Sequence, residues 1–267
     1  MRNIALALLA LLFGANPSSA LASSSAWFET QGGRIRLVTA GRPDEAGRLK
    51  GMLEVDLRPG WKTYWRDPGD AGVPPQIDVS ASENLASAEL TFPAPERHDD
   101  GSFKWAGYDE PVALPIIFTL KSPAEAALIE ADVFLGVCET ICIPAQTRLT
   151  LDPASDPDNP EDMAAVAAAF AALPAPAAPE FGVNSAREEG SKLIVEAKFP
   201  GDPASVEFFL AASDGYAFGT PERVEKEGKT LFSLEILARP DSVPAGDGLH
   251  YTLVTDAGAV GGRIPFM

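Results

Sequence analysis

The sequence predicts an all-β protein built from two tandem β-sandwich domains, joined by a short helix and a linker rich in proline and alanine. Short runs of branched or alternating apolar residues, interrupted by Gly, Pro and Asp, occur on both sides of residues 152–180. Runs of this kind are typical of β-strands. The segment 152–180 itself is rich in Ala and Pro and has few β-branched residues, as expected of a boundary between domains.

The predicted strands divide into two groups. The first domain, residues 23–151, has apolar runs at 34–40, 49–57, 85–92, 114–120, 128–137 and 141–151. Six strands within about 125 residues are typical of a β-sandwich. The second domain, residues 181–267, has runs at 192–199, 205–211, 230–237, 249–255 and 259–265, and we expect a second, smaller sandwich.

A short helix is predicted inside the segment 152–180. Asn159 is a favourable N-cap, Pro160 suits the first helical position, and Pro174 ends the helix. The apolar stripe of this helix, expected to pack on a neighbouring domain, consists of Met163, Val166, Phe170 and Leu173. The proline-rich residues that follow predict a semi-rigid spacer.

Residues 1–22 have the features of a secretory signal peptide. Arg2 precedes an apolar run at 4–13, and Ala20, Leu21 and Ala22 form a small-x-small cleavage site. The run of about ten residues is shorter than the roughly 20 that span a bilayer. We therefore expect an exported protein that does not span a membrane, which in a Gram-negative host means the periplasm.

The charge of the chain argues against nucleic acid as a partner. The formal net charge is −17, from 38 acidic and 21 basic residues. Binding to phosphate backbones requires clustered Lys and Arg, and the sequence contains no such cluster.

Cys138 and Cys142, the two cysteines of the chain, lie four residues apart in the run GVCETICIP. A disulfide closing so short a loop stabilises a fold by roughly 2 kcal/mol, against nearly 5 for a loop of about 100 residues. Stability is therefore a weak reason for this pair, and a reversible redox role is favoured. Neither cysteine has a Lys or His close to it in sequence.

The chain must turn between the two cysteines if they are to form a disulfide. Residues four apart in an extended strand are separated by about 13 Å, whereas a disulfide needs Cα atoms within roughly 4.4 to 6.8 Å. The flanking runs predict two strands, so residues 139–141 are interpreted as the tip of a hairpin. A helical turn is the alternative geometry.

Three functions are compatible with such a pair. The first is a redox-active dithiol, and the second is a structural disulfide in a non-enzymatic adaptor. The third is a metal site, for which copper(I) is a better candidate than zinc because it accepts two thiolates. Only His98 and His250 could add imidazole ligands. No Gly-x-Ser-x-Gly motif of a hydrolase is present.

Three segments resemble the amino-terminal periplasmic domain of the DsbD/ScsB family of thiol:disulfide interchange proteins. They are GVCETICIPAQT at 136–147, GWKTYWR at 60–66, and residues 98–115, and the resemblance spans about 27–151. It implies an immunoglobulin-like sandwich with a redox-active cysteine pair on a hairpin, and no other cofactor. It also implies electron transfer from a membrane donor protein to a thioredoxin-fold client, with Cys142 as the attacking thiol and Cys138 as the resolving thiol.

The resemblance also implies a cap loop, in which an aromatic residue shields the disulfide until a partner docks. The family's cap follows a His and acidic residues, so Phe103 is the cap candidate, with Trp105 and Tyr108 as substitutes. Asp99 and Asp100 are candidates for tuning the reactive thiol or carrying its proton, although solvated acids are the ordinary alternative.

The segment 60–66 carries the remaining aromatic candidates. The family places aromatic residues near the disulfide at this point, so Trp61, Tyr64 and Trp65 are candidates, and Tyr64 is taken as the active-site neighbour. Packing in the core is the alternative for each of them.

The chain departs from the family pattern in two respects. Three residues separate its cysteines, as in the ScsB branch, whereas five do in DsbD. It also contains neither the transmembrane conduit nor the thioredoxin-like domain of those proteins. We therefore expect a separate membrane protein to supply its electrons, and the second sandwich has no recognised role.

Overall fold

The described part of the chain is mostly β-structure with a single α-helix, as the sequence predicted. The structure is a computed structural model, and it describes residues 23–69, 72–99, 101, 104–211, 215–244 and 246–266. The predicted signal peptide, residues 1–22, lies outside the described residues. No described helix is long and apolar enough to cross a membrane.

The first half of the chain, residues 23–151, forms three sheets. Its strands are β1 (Phe28–Thr30), β2 (Gly33–Ala40), β3 (Arg48–Leu57), β4 (Thr63–Gly69), β5 (Gln76–Asp78), β6 (Leu85–Leu90), β7 (Glu96–Asp99), β8 (Lys104–Tyr108), β9 (Val112–Leu120), β10 (Ile129–Cys138) and β11 (Cys142–Leu151). The strand orders are β1-β2-β3-β9-β6, β11-β10-β5 and β4-β8-β7.

The core of the first half consists of inward-facing side chains from these sheets. Alternate residues of β10, including Ala131, Val133 and Leu135, are fully buried, because successive side chains of a strand point to opposite faces. They share one cluster with Leu53 and Phe118 of the five-stranded sheet. The long strands therefore lie where the apolar runs predicted them, within two residues at each end.

The sheet β4-β8-β7 was not predicted from the sequence. Strand β4 contains Pro68 and a left-handed Gly69, and its pairing with β8 is irregular between Tyr64 and Gly69. At Gly107 a Cβ atom would lie 2.3 Å from the Thr63 carbonyl oxygen, so glycine is required where the two strands approach closely. Short, interrupted strands of this kind show no clear alternation.

The second half, residues 181–266, forms two sheets that include a strand from the predicted linker. The strands are β12 (Ala175–Pro176), β13 (Gly182–Glu189), β14 (Lys192–Lys198), β15 (Glu207–Leu210), β16 (Ala217–Phe218), β17 (Glu222–Lys226), β18 (Lys229–Ala238), β19 (Leu249–Thr255) and β20 (Gly258–Ile264), with a 3-10 helix at Pro203–Ser205. One sheet has the order β12-β20-β19-β15, and the other is β13-β14-β18-β16 with β17 also paired to β18. The expected spacer is thus partly a strand, because β12 pairs with β20.

Helix α1 (Pro160–Ala171) begins where the sequence predicted. The Asn159 side chain accepts hydrogen bonds from the backbone N–H groups of Glu161 and Asp162, the usual role of an N-cap. Val166 and Ala169 pack on the outer face of the first half's large sheet. The predicted stripe was wrong at Met163, which is 46% exposed, because the buried face is rotated toward Ala169.

The two halves are in direct contact. The Trp65 and Phe209 rings meet edge to face with centroids 5.9 Å apart, and Phe209 belongs to the core cluster of the first half. The guanidinium of Arg97 on β7 donates to the carbonyl oxygen of Phe208 at 3.0 Å. The sheet β4-β8-β7 therefore lies against the second half of the chain.

Candidate functional site

The two cysteines face each other at the end of a hairpin. Strands β10 and β11 pair without interruption from Ile129 opposite Leu151 to Cys138 opposite Cys142. The cysteines are joined in a disulfide, with Cα atoms 4.1 Å apart, and residues 139–141 form the tip. The predicted hairpin is confirmed, and the alternative of a helical turn is wrong.

The two cysteines differ in their exposure to solvent. Cys138 is 1% exposed and its backbone pairs with that of Lys62 through two hydrogen bonds of 2.8 and 2.9 Å. Cys142 is exposed, and Ile141 beside it is the most exposed large apolar residue of the described chain, at 68%. Of the two cysteines, Cys142 is therefore the one at the surface, where a partner's thiolate could approach it.

Tyr64 lies beneath the disulfide and contacts both sulfurs. Its hydroxyl donates to Cys138 Sγ at 3.1 Å and lies 3.3 Å from Cys142 Sγ. The side chain is buried with Cys138 and Trp105 in a small cluster separate from the main core. The structure thus brings together three residues that the sequence analysis selected: Tyr64, Trp105 and the cysteine pair's Cys138.

Trp105 supports Tyr64 from β8. The two rings meet edge to face with centroids 5.9 Å apart. On Trp105, the His98 ring stacks at 3.9 Å with an interplanar angle of 9°. The Lys62 ammonium lies 4.3 Å from the Trp105 ring centroid, a distance typical of a cation–π interaction.

Lys62 is the neighbour of the site that sequence reasoning missed. No basic residue is close to the cysteines in sequence, but the β-bridge between Lys62 and Cys138 brings this one beside them. Lys62 lies within the segment 60–66, in which the resemblance pointed only to the aromatic residues. Pairing between distant strands placed the cation at the site.

The other residues predicted to lie near the disulfide have different positions in the structure. Asp99 is exposed at the end of β7, where its carboxylate accepts from the Gly101 N–H at 2.8 Å. Asp100 and the cap candidate Phe103 lie outside the described residues, so their roles stay predictions. Tyr108 lies in the main core and donates to the Pro93 carbonyl oxygen.

Trp61 and Trp65 also belong to the main core rather than to the disulfide cluster. For these two residues, and for Tyr108, packing is therefore the observed role.

Within the described ranges, one group of three side chains could hold a metal ion. It consists of Glu96, His98 and Asp109, whose ligand atoms lie within 4.8 Å of one another. Neither cysteine belongs to it. Among the described residues, this group therefore offers no additional ligand to the cysteine pair, and the copper(I) alternative, which needs only the two thiolates, stays a prediction.

Fold and site together define a mostly β protein with a disulfide at the end of a hairpin, in which one cysteine is buried and the other exposed. Residues 38–154 match the family described as "Thiol:disulfide interchange protein DsbD, N-terminal". The chain therefore contains a domain of the DsbD N-terminal family, as its sequence motifs indicated. No curated protein matches the sequence.

A solved structure shares the fold of nearly the whole chain. It is the crystal structure of the N-terminal periplasmic domain of ScsB from Proteus mirabilis, with a TM-score of 0.70 and 22% sequence identity. The match covers 90% of this chain and 96% of that chain. Because neither half alone accounts for 90% of the residues, both halves take part in the shared fold.

Proposed function

We propose that this protein is a periplasmic thiol–disulfide exchange protein, which passes reducing equivalents from a membrane electron donor to a thioredoxin-fold client. The observation that carries the proposal is the bond between an exposed Cys142 and a buried Cys138, within a DsbD N-terminal domain. A bond that serves only as a staple does not require one accessible sulfur.

Exchange with the client transfers two electrons. The Cys142 thiolate attacks one sulfur of the client disulfide, a mixed disulfide forms, and the client's other sulfur leaves as a thiolate. The Cys138 thiolate then attacks the sulfur of Cys142. This restores the Cys138–Cys142 bond and releases the client as a dithiol, so the client is reduced and this protein is oxidised.

The donor regenerates the dithiol by the same chemistry in reverse. A donor thiolate attacks the accessible sulfur of Cys142 and Cys138 leaves as a thiolate. A second donor thiolate then resolves the mixed disulfide. In this step Tyr64 is positioned to stabilise the leaving group, because its hydroxyl already donates to Cys138 Sγ at 3.1 Å and hydrogen bonds to an ionised acceptor are the stronger ones.

The surroundings of the protein are part of the proposal. The predicted signal peptide at 1–22 supports export, and the solved structure with the shared fold is a periplasmic domain. We assign the redox role to an immunoglobulin-like sandwich at 23–151, connected through 152–180 to a second such sandwich at 181–267. Phe103 is retained as the cap that shields the disulfide, and Asp99 and Asp100 as residues that tune it.

The test is a trapping experiment in the periplasm. The Cys138→Ser variant retains the attacking thiol but cannot resolve the intermediate, so it should accumulate a mixed disulfide with its client on a non-reducing gel. The matched Cys142→Ser variant should accumulate much less, because its remaining thiol is buried.

A second measurement separates exchange from a structural role. The reduction potential of the pair should lie between about −200 and −270 mV, the range of thiol-reducing exchange proteins, whereas a structural disulfide lies below about −300 mV. No trapped partner together with a potential below that limit would favour the adaptor instead.

A further inference from the structure

A cavity of about 340 Å³ lies between the two halves of the chain, away from the disulfide. The first half lines it with Trp65, Arg66 and Phe92, and the second half with His250 and Arg263. A volume of this size is within the usual range of small-molecule sites, roughly 300 to 1,000 Å³.

Basic side chains converge on this cavity from both halves. Arg66 lies on β4, whereas His250 and Arg263 are direct cross-strand partners on β19 and β20 and so project from the same face of their sheet. Among the described residues no Asp or Glu lines the cavity. In a chain with a net charge of −17, the two guanidinium groups of Arg66 and Arg263 are a local concentration of positive charge.

Arg66 has an incomplete set of partners. Its Nε is buried without a hydrogen-bond partner, as is Nε1 of Trp65, and no ion pair of Arg66 occurs within the described residues. The guanidinium instead lies 4.9 Å from the Phe92 ring centroid. The half-buried guanidinium is attracted by Glu89, but that exposed carboxylate does not line the cavity, so the buried Nε–H still lacks the acceptor that such a donor requires.

Arg263 is also poorly neutralised, whereas His250 is an uncharged imidazole near pH 7. Arg263 pairs with Asp247 at 3.6 Å, but that carboxylate is 84% exposed and such surface pairs contribute little. Burial, and then the charges of Arg66 and Arg263, lower the pKa of His250 to about 4. The three groups therefore lie within electrostatic reach of one another.

We propose that this cavity binds a small organic anion with a carboxylate or phosphate head. The head lies between Arg66 and Arg263, because the guanidinium fork matches the oxygens of both groups. The apolar part of the ligand lies against Phe92, Trp65 and Pro174. Because Arg66 and Arg263 come from different halves, the bound anion bridges them.

The test is calorimetric titration of the full mature protein with benzoate and with phenyl phosphate, which differ only in the head group. Neutral benzamide is the control for the apolar part. At least one anion should bind saturably with a dissociation constant below about 10 mM. Benzamide should not bind. The tighter of the two anions identifies the head group.

Two variants locate the site. Arg66→Gln and Arg263→Gln should each weaken binding of the preferred anion roughly tenfold, the usual effect of losing one charged hydrogen bond. Arg187→Gln, which removes an exposed arginine elsewhere in the second half, should leave the affinity unchanged. Because Arg66 is partly buried, its variant is judged only if its circular dichroism matches that of the parent.

Because Arg263 is exposed, its replacement should leave the fold intact. The Arg263→Gln variant therefore tests the proposal even if the Arg66→Gln variant does not fold. Absence of saturable binding by both anions would overturn the proposal. Equal affinities of the Arg263→Gln and Arg187→Gln variants would overturn it as well. Neither result bears on thiol exchange, which is measured separately.

Discussion

Strand β4 serves two different regions of the molecule with adjacent residues. Tyr64 lies in the buried cluster at the disulfide, whereas Trp65 belongs to the main core and packs on Phe209 of the second half. The physical reason is that successive side chains of a strand point to opposite faces. One strand therefore joins the disulfide to the interface between the halves.

The two regions differ in how their polar groups are satisfied. On the disulfide face, the Tyr64 hydroxyl is within hydrogen-bond distance of both sulfurs. At the cavity between the halves, the Trp65 indole N–H and Arg66 Nε are buried and have no hydrogen-bond partner within the described residues. Next to the sulfurs the hydroxyl is thus satisfied, although His98 Nε2 behind Trp105 is buried without a hydrogen-bond partner in the described chain, whereas at the second region the unpartnered groups line a cavity with room for a ligand.

The largest expected effect is that of Trp65→Ala on stability. Trp65 is 2% exposed, and truncating a buried tryptophan lowers the free energy of unfolding by about 3–5 kcal/mol. Trp27→Ala is the control, because that ring is partly exposed under the guanidinium of Arg34. Urea titrations that show equal losses for the two variants would contradict the interface role.

Tyr64→Phe tests the disulfide face of the same strand. The ring and its contact with Trp105 remain, but Cys138 loses the hydrogen bond from the hydroxyl. The rate of disulfide reduction by dithiothreitol should fall roughly tenfold, since one such bond contributes about 1–1.5 kcal/mol. Tyr108→Phe, whose hydroxyl bonds to Pro93, should reduce at the parental rate.

His250→Gln tests the interface through its pH dependence. The folded-state pKa of His250, about 4, lies below its ordinary value of 6.5, so the unfolded chain binds the proton more readily. This histidine therefore reduces stability as pH falls from 6.5 toward 4. Between pH 7 and pH 5 this histidine should lower the parent's free energy of unfolding by about 1 kcal/mol, after allowance for solvent screening at a half-exposed site. The variant should not show this loss.

The measurement compares the free energies of unfolding of parent and variant at pH 7 and pH 5. A difference between the two proteins that is the same at both pH values would contradict the assigned burial of His250.

The smallest expected effect is that of Lys62→Met. Losing the cation near the Trp105 ring should lower the free energy of unfolding by about 0.5–1 kcal/mol. Reduction should slow by less than in Tyr64→Phe, because a thiolate approaching Cys142 loses only a screened attraction. Lys50→Met, which removes a similar contact with Phe170 on the helix, should lower stability alone.

Local sequence signals predicted the hairpin and the helix. The runs on either side of the cysteines indicated β10 and β11 because each contains enough apolar residues to define a strand. The helix start was predictable because Asn159 and Pro160 act on the backbone next to them. The same reasoning failed at Met163, since the face of a helix that is buried depends on the sheet that receives it.

The sheet β4-β8-β7 shows why the rest of the site was harder to predict. Its strands are short, contain glycine and proline, and pair with an irregular register. The motif at 60–66 indicated that aromatic residues are important there. It did not distinguish Tyr64, which reaches the sulfurs, from Trp61 and Trp65, which fill the core.

The sequence by itself determined the mostly β class, the hairpin that pairs Cys138 with Cys142, and the start of the helix, because each depends on residues close together in the chain. Only the tertiary structure decided that Cys138 is buried and Cys142 accessible, that Tyr64 and Lys62 lie beside them, and that basic groups from both halves meet at one cavity. Those features arise from pairing and packing between segments far apart in sequence, which local patterns do not encode.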